Sequence, residues 1–288
     1  MSAIDPGQRR LVITGVGFRP SETDSANANV YTSAGCKPNI GAATALAGAR
    51  AGYSVVAVAR TREKLERVRK SIEELEPTTE MRSHAIDILN AESVRQFVDD
   101  LPRDREIDVV HCAGLSAGSY ALPGDNPYLS VDRTPPELAL VEFEAVVKTL
   151  LNTVQAFLPL WRQQAHARLI VVSSMSGIRA FPFGFSHSSA KGGLHQAVRS
   201  LTLELAPLGI YVTEILPGMV NTGLYDSLSV AASVRKIGQT FGYTYESGPL
   251  PQMSSAAVAD AIILCLSSDA HVLSISMVSQ GQFPHMGA

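Results

Sequence analysis

Short, mainly apolar runs alternate along the chain with longer segments whose apolar residues recur every three to four positions. The short runs fall at 10–15, 53–60, 84–88, 107–110, 169–172, 210–216 and 272–278. Runs of that length, rich in Val, Ile and Ala, read as strands covered on both faces, as in a parallel sheet. Helical periodicity occupies 41–51, 62–75, 91–101, 136–164, 187–205 and 255–267. Strand and helix patterns that take turns predict strand–helix–strand units, hence an α/β fold on a doubly wound parallel sheet flanked by helices. No repeat or linker divides the chain, so 1–288 is expected to form a single unit.

The chemistry gathers in 168–191, RLIVVSSMSGIRAFPFGFSHSSAK. Its apolar start is a buried strand, and Ser173 and Ser174 sit where that strand ends. A loop with Gly177, Pro182 and Gly184 follows, and His187 leads through Lys191 into a helix. Four residues apart, His187 and Lys191 share one helix face. A hydroxyl, an imidazole and an ammonium thus meet at the carboxyl end of a strand, where open α/β sheets bind their ligands.

Ser174, His187 and Lys191 resemble the catalytic residues of the short-chain dehydrogenase/reductase family, which places a Ser at a strand end and a Tyr-x-x-x-Lys at the start of the next helix. Ser174 lies thirteen residues before His187 and matches the family's serine, and Lys191 matches its lysine. His187 stands where the family has tyrosine. The resemblance runs from Arg10 to about Gln280 and implies a Rossmann-type sheet with a nicotinamide cofactor. It implies that Ser174 holds a carbonyl oxygen, that Lys191 binds the nicotinamide ribose, and that His187 takes over the tyrosine's proton transfer. An unperturbed imidazole titrates near neutrality, which suits that task.

The family's glycine motif is present but split. Thr14, Gly15 and Gly17 end the first strand, and a polar insert at about 18–38 separates them from Asn39, Ile40 and Gly41 at the helix start. Glycine is needed there so that backbone N–H groups can approach a pyrophosphate. Asn39 adds a side chain where the family has the middle glycine, and the insert reads either as a flap over the phosphates or as a solvated loop. At the end of the second strand, Ala59-Arg60-Thr61-Arg62 offers no acid for a ribose hydroxyl, so Arg60 favours NADP(H), with Arg62 read as a solvated helix-start charge. By resemblance, Asp87 lies near the adenine, Ala113 and Gly114 match the family's cofactor motif, and Pro217, Gly218, Val220 and Thr222 hold the carboxamide. A lid follows at 223–253, carrying Tyr225 as another possible proton donor, and the long loop 115–134 holds Tyr120 and Tyr128.

Other family positions are altered. His111 and Cys112 replace two asparagines, and His111 reads as a hydrogen-bonded core histidine. The family's relay asparagine falls at Ala145 or Val146, with Asn152 too far along. These losses open two alternatives: a non-redox enzyme using Ser174, His187 and Lys191, or an inactive nucleotide-binding protein. A Ser–His hydrolase is less favoured, because no carboxylate is placed to orient the imidazole.

Composition narrows the partners. A net charge of −3 on 288 residues gives no electrostatic case for nucleic acid or an anionic membrane. No apolar run approaches membrane-spanning length and the start lacks a signal-type apolar core, so a cytoplasmic protein acting on a small molecule is expected. Three cysteines at unpatterned spacing suggest neither disulfides nor a metal site. A homo-dimer or homo-tetramer built on helices 136–164 and 187–205 is implied by resemblance.

Overall fold

Along a buried strand, successive side chains point to opposite faces, so an all-apolar run needs a core on each side. The computed structural model describes residues 5–20, 36–114, 128–245 and 248–282. Its strands are β1 (Arg9–Thr14), β2 (Phe18–Pro20), β3 (Cys36–Pro38), β4 (Ser54–Ala59), β5 (Met81–Ala85), β6 (Glu106–His111), β7 (Ala167–Val172), β8 (Ile210–Pro217), β9 (Val220–Asn221), β10 (Met253–Ser254) and β11 (Ser274–Met277). Its helices are α1 (Ile40–Arg50), α2 (Arg62–Leu75), α3 (Ala91–Asp99), α4 (Pro136–Phe143), α5 (Thr149–Trp161), α6 (Phe185–Leu205), α7 (Leu228–Thr240) and α8 (Ser255–Ser267).

Seven strands form one sheet in the order β5-β4-β1-β6-β7-β8-β11, and every pairing in it is parallel. Chain order reverses between β1 and β6, which makes the carboxyl ends of those two strands the expected ligand crevice. Leu11, Ile13, Val55 and Ala57 face a core completed by α1 and α8, while Val12, Val56, Val109 and Leu169 face one completed by α3, α5 and α6. Small residues let α1 lie close: a Cβ on Gly48 would sit 2.8 Å from Leu11 Cδ2.

The amino end of the sheet is tied by charge. Arg9 Nε and Nη2 donate to the two carboxylate oxygens of Asp108 at 2.6 and 2.7 Å, and the Arg168 amide adds a third donor at 2.7 Å. Removing one partner of such a buried pair costs about 3–5 kcal/mol, because the other is left charged and dry. This end lies across the sheet from the crevice.

The structure revises several expected boundaries. The strand expected at 84–88 is β5, which ends at Ala85, so Asp87 lies in the turn beyond it. Helix 136–164 is α4 and α5 joined by a π-helical turn, Glu144–Lys148. The last strand is shorter than 272–278, and α6 begins two residues before His187. Most of the 18–38 insert, Tyr120 and part of the lid lie outside the described residues. The insert's stem is the antiparallel pair β2–β3, and Lys37 there bonds both carboxylate oxygens of Asp226 at 2.9 Å.

Candidate active site

A cleft of about 430 Å³ opens at the carboxyl ends of β1, β4, β6 and β7. Its floor is the glycine turn. Gly15 has φ +75°, and a Cβ there would strike the Cys112 carbonyl at 2.7 Å; one on Gly41 would strike the Gly15 carbonyl at 2.9 Å. Only glycine fits either position. Asn39, which stands where the family has the middle glycine, lines the cleft and holds this turn. Its Oδ1 accepts from the Gly17 amide at 3.0 Å and the Ala42 amide at 2.9 Å, and its Nδ2 donates to the Gly15 carbonyl at 2.7 Å. One side chain therefore caps α1 and fixes the turn, joining the two halves of the split motif. Ile40 and Gly41 line the cleft at the amino end of α1, where helix amides and dipole favour an anion.

Arg60 and Thr61 at the end of β4 reach the cleft, as does Lys64 one turn into α2. Lys64 was not anticipated; its aliphatic stem passes Gly17, 3.0 Å from where a Cβ would stand. Its place three residues after Thr61 was the available signal. Arg62 lies outside the cleft, on the far side of α2 with Glu66 and His84. Asp87 lines the cleft while its Oδ1 accepts from the Leu89 amide at 3.0 Å. Ala113, Gly114, Pro217, Gly218, Val220 and Thr222 complete the wall.

Thr14 is different. It is buried beneath the cleft, with its hydroxyl 3.2 Å from His111 Nδ1, so a direct cofactor contact is not its place. Thr149 and Thr153 also approach the His111 ring, at 3.3 and 3.4 Å. Burial, and then the Lys191 charge, push the His111 pKa down to about 3, so it is a neutral core histidine at working pH. Burial likewise lifts the Cys112 thiol to about 12, which keeps it protonated. Asn152 bonds the carbonyls of Ile88 and Leu89, and Ala145 lines the cleft where the relay asparagine was sought.

Ser174, His187 and Lys191 come together on the cleft wall. Ser174 follows β7 in extended backbone and caps a short turn; its Oγ accepts from the Ser176 hydroxyl at 2.7 Å. Ser173 Oγ is buried and has no partner among the described residues. A Cβ on Gly177 would lie 2.7 Å from the Lys191 carbonyl, so the turn after Ser174 packs directly on α6. Burial holds Lys191 at about 8, against the opposing pull of Glu142, Cys112 and Glu214.

One expectation is overturned. His187 does have a carboxylate: its Nδ1 lies 3.2 Å from Glu142 Oε1, and Glu142 on α4 is buried. This contact engages Nδ1, and the His187 side chain lines the cleft. The sequence held a signal for Glu142. It stands four residues after Leu138 and four before Val146, on the apolar stripe of its helix.

Beside Ser174 and His187, the cleft adjoins an apolar compartment of about 50 Å³ whose lining includes Tyr128, Phe181, Met219, Tyr225 and Val234. Burial raises the Tyr225 phenol to about 12, partly offset by its hydrogen bond with Tyr128. Helix α7 of the lid packs Val230 and Val234 on Met219 and Leu250.

The match to known proteins is decisive for the family. The model of short chain dehydrogenases matches residues 29–232, more than half of the chain. The chain belongs to the short-chain dehydrogenase family. The chain is 29% identical over 192 residues to an uncharacterized oxidoreductase of Staphylococcus saprophyticus, covering 66% of this chain and 77% of that one. An NADPH-bound short chain oxidoreductase of Pseudomonas aeruginosa, described as containing an atypical catalytic center, superposes with a TM-score of 0.72 at 23% identity, over 94% and 95% of the two chains. A short chain dehydrogenase of Mycobacterium paratuberculosis bound to NAD gives 0.73 at 20% identity, over 97% and 99%. Both likenesses are of fold. No described helix of the chain is long and apolar enough to cross a membrane.

Proposed function

We propose that this protein is an NADP(H)-dependent oxidoreductase that interconverts a carbonyl and a hydroxyl group on an apolar small molecule, with His187 moving the proton. The observation that carries this is the buried Glu142 on His187 Nδ1, which turns a substituted tyrosine position into an oriented acid/base. The residues present fit a dinucleotide. Gly15 and Gly41 leave room that a Cβ would fill, the start of α1 suits a pyrophosphate, and Arg60 and Lys64 suit a 2′-phosphate. The bound nicotinamide supplies the two-electron chemistry.

The chain's own residues do the rest. Lys191 holds the nicotinamide ribose, and Ser174 donates a hydrogen bond to the substrate oxygen. His187, as imidazolium, gives its Nε2 proton to that oxygen in the reductive direction and takes it back in the oxidative one. Glu142 keeps the ring in place and stabilises its charged form, as carboxylates do for catalytic imidazoles elsewhere. Tyr225, with its phenol at about 12, is a poorer acid at neutral pH and serves the compartment's shape and hydrogen bonding. At about 50 Å³ the compartment holds a few waters, so a bulky substrate requires α7 to move outward. Exposed Leu140, Leu151, Phe185 and Leu203 on α4–α6 suit a second copy of the chain.

The test is calorimetric titration of the purified protein with NADPH and with NADH, followed by a screen of apolar ketones and quinones. The reading expects NADPH to bind more tightly and turnover to disappear in His187→Ala with NADPH binding kept. Absence of binding by either nucleotide overturns it. Product formed without any change in nicotinamide absorbance would instead favour proton transfer alone, which the same His187–Glu142 pair could perform.

A further inference from the structure

A two-stranded ribbon is marginal in water unless one of its faces packs on a core. The ribbon that splits the glycine motif has such a face. In the antiparallel pair β2–β3, Phe18 stands opposite Pro38, Arg19 opposite Lys37 and Pro20 opposite Cys36. Opposed residues share a face and successive ones alternate, so Arg19 and Lys37 project from one side, Phe18 and Cys36 from the other. Phe18 is 5% exposed and Cys36 7%, and both join the core that contains Val16 and Leu65. Arg67 of α2 donates a hydrogen bond to Cys36 Sγ, which ties the apolar side to that helix. A solvated loop would bury neither residue.

The cationic side meets the segment that follows β9. Lys37 Nζ donates to both carboxylate oxygens of Asp226 at 2.9 Å, with 12% of the Lys37 side chain and 20% of the Asp226 side chain exposed. Gly223 has φ +82°, and a Cβ there would lie 3.3 Å from Arg19 Cβ. The ribbon therefore touches the start of the lid at two points. Gly17, Phe18 and Arg19 line one bank of the cleft, and Thr222 and Leu224 line the other. A dinucleotide with its adenosine end at Arg60 and Lys64 and its nicotinamide end at Lys191 and Thr222 passes between those banks. Neither Lys37 nor Asp226 lines the cleft; their bond joins the two banks from outside it.

We propose that the β2–β3 ribbon is a strap across the dinucleotide cleft, latched to the lid by Lys37 and Asp226, and that the latch opens for NADP(H) to enter or leave. It rests on the nucleotide-binding reading and adds a gate to it. Phe18 and Cys36 fix the ribbon to the core, so the side that swings is the lid segment from Leu224 onward. Gly223, in left-handed backbone that favours glycine, is the hinge. Breaking the ion pair removes no contact to the cofactor; it raises the fraction of time that the strap is open. A gate slows passage equally in both directions, so its loss speeds association and release by one factor and leaves Kd where it was. Lys37 and Asp226 are positioning residues.

The experiment follows NADPH fluorescence by stopped flow, with direct mixing for association and a chase of excess NADP+ for release. It compares wild type with Lys37→Met and Asp226→Asn. Both variants should raise both rates by about two- to fivefold, the effect of a partly exposed ion pair, and keep Kd within about twofold. Charge acting at a distance on an anionic cofactor gives a different pattern: losing the cation weakens binding and losing the anion tightens it. Asp226→Lys sharpens the contrast. Two opposed ammoniums should open the latch and speed release, whereas an added cation acting through its field alone would slow it. Shifts of opposite sign in Lys37→Met and Asp226→Asn overturn the strap, and so do rates in both that match wild type. A variant that loses the fold shows it in its melting temperature, and the other two then decide. A wild type that binds neither nucleotide is a different failure, because it removes the cofactor reading and the strap with it.

Discussion

Replacing Glu142 separates what its charge does for His187 from what its shape does. Glutamine keeps the size and still accepts a hydrogen bond from Nδ1, whose present partner Oε1 lies 3.2 Å away in a buried setting. A hydrogen bond to a charged group contributes about 1.5–3 kcal/mol, against about 1 kcal/mol for a neutral one. The difference, about 0.5–2 kcal/mol, applies where the ring is charged, and converts to a kcat roughly 2- to 30-fold lower in Glu142→Gln. Glu142→Leu removes the whole bond and leaves the ring free to rotate, so its kcat should be about 10- to 150-fold lower. Because Glu142 does not line the dinucleotide cleft, NADPH affinity should stay within about twofold of wild type, inside the scatter of distant substitutions. The assay is steady-state reduction of phenanthrenequinone at saturating NADPH, with NADPH binding measured separately by calorimetry. Two results refute the reasoning: both variants turning over like wild type, or the whole loss appearing in cofactor affinity.

Two further predictions concern the cofactor side. Burial holds Lys191 at about 8, so its ammonium is complete below that pH and lost above it. NADPH affinity should therefore fall as pH rises through about 8, and Lys191→Met should flatten that trend in calorimetric titrations. Stability runs the other way. The folded value lies below the unfolded one near 10.5, so the penalty of a buried ammonium is present below about 8 and relieved as pH rises toward 10.5, which thermal melts across that window would register. Arg60→Ala and Lys64→Ala should each weaken NADPH binding by about tenfold or more, the loss of one charge-assisted contact, and leave NADH binding nearly unchanged. Equal loss for both nucleotides would place the two side chains away from the 2′-phosphate.

Much of the fold was legible because buried parallel strands carry a local signal. The apolar runs ending at Thr14, Ala59, His111, Val172 and Pro217 are β1, β4, β6, β7 and β8, and their ends form the cleft. Ser174, His187 and Lys191 could be placed together from strand end and helix spacing alone. The capping role of Asn39 was not legible, because spacing shows that a side chain is present but not which way it turns. In the structure it turns back onto the glycine turn as a helix cap. Glu142 and His187 are 45 residues apart, and only the packing of α4 on α6 brings them together. A glycine on α6 makes that contact close: a Cβ on Gly193 would stand 2.8 Å from Phe143.

The departures from local rules separate into two kinds, and the separation bears on where chemistry resides. Asp108 is an acid in a buried strand, but both its oxygens are bonded, by Arg9 and by the Arg168 amide, at the amino end of the sheet. A fully satisfied pair of that sort fixes structure. Glu214 is also an acid in a buried strand, yet it has an imidazole on one oxygen and no partner among the described residues on the other. Glu142 is an acid on an apolar helix stripe, bonded to the imidazole that replaces a tyrosine. The two histidine-bonded acids flank Lys191, and Ser173 with its unpartnered hydroxyl lines the same cleft. Incompletely paired polar groups are expected where a protein gives up stability for function. Both histidine-bonded acids act on Lys191, which lines the cleft beside Ser173 and Ser174, and that shared neighbour is the physical reason to look for the reaction there.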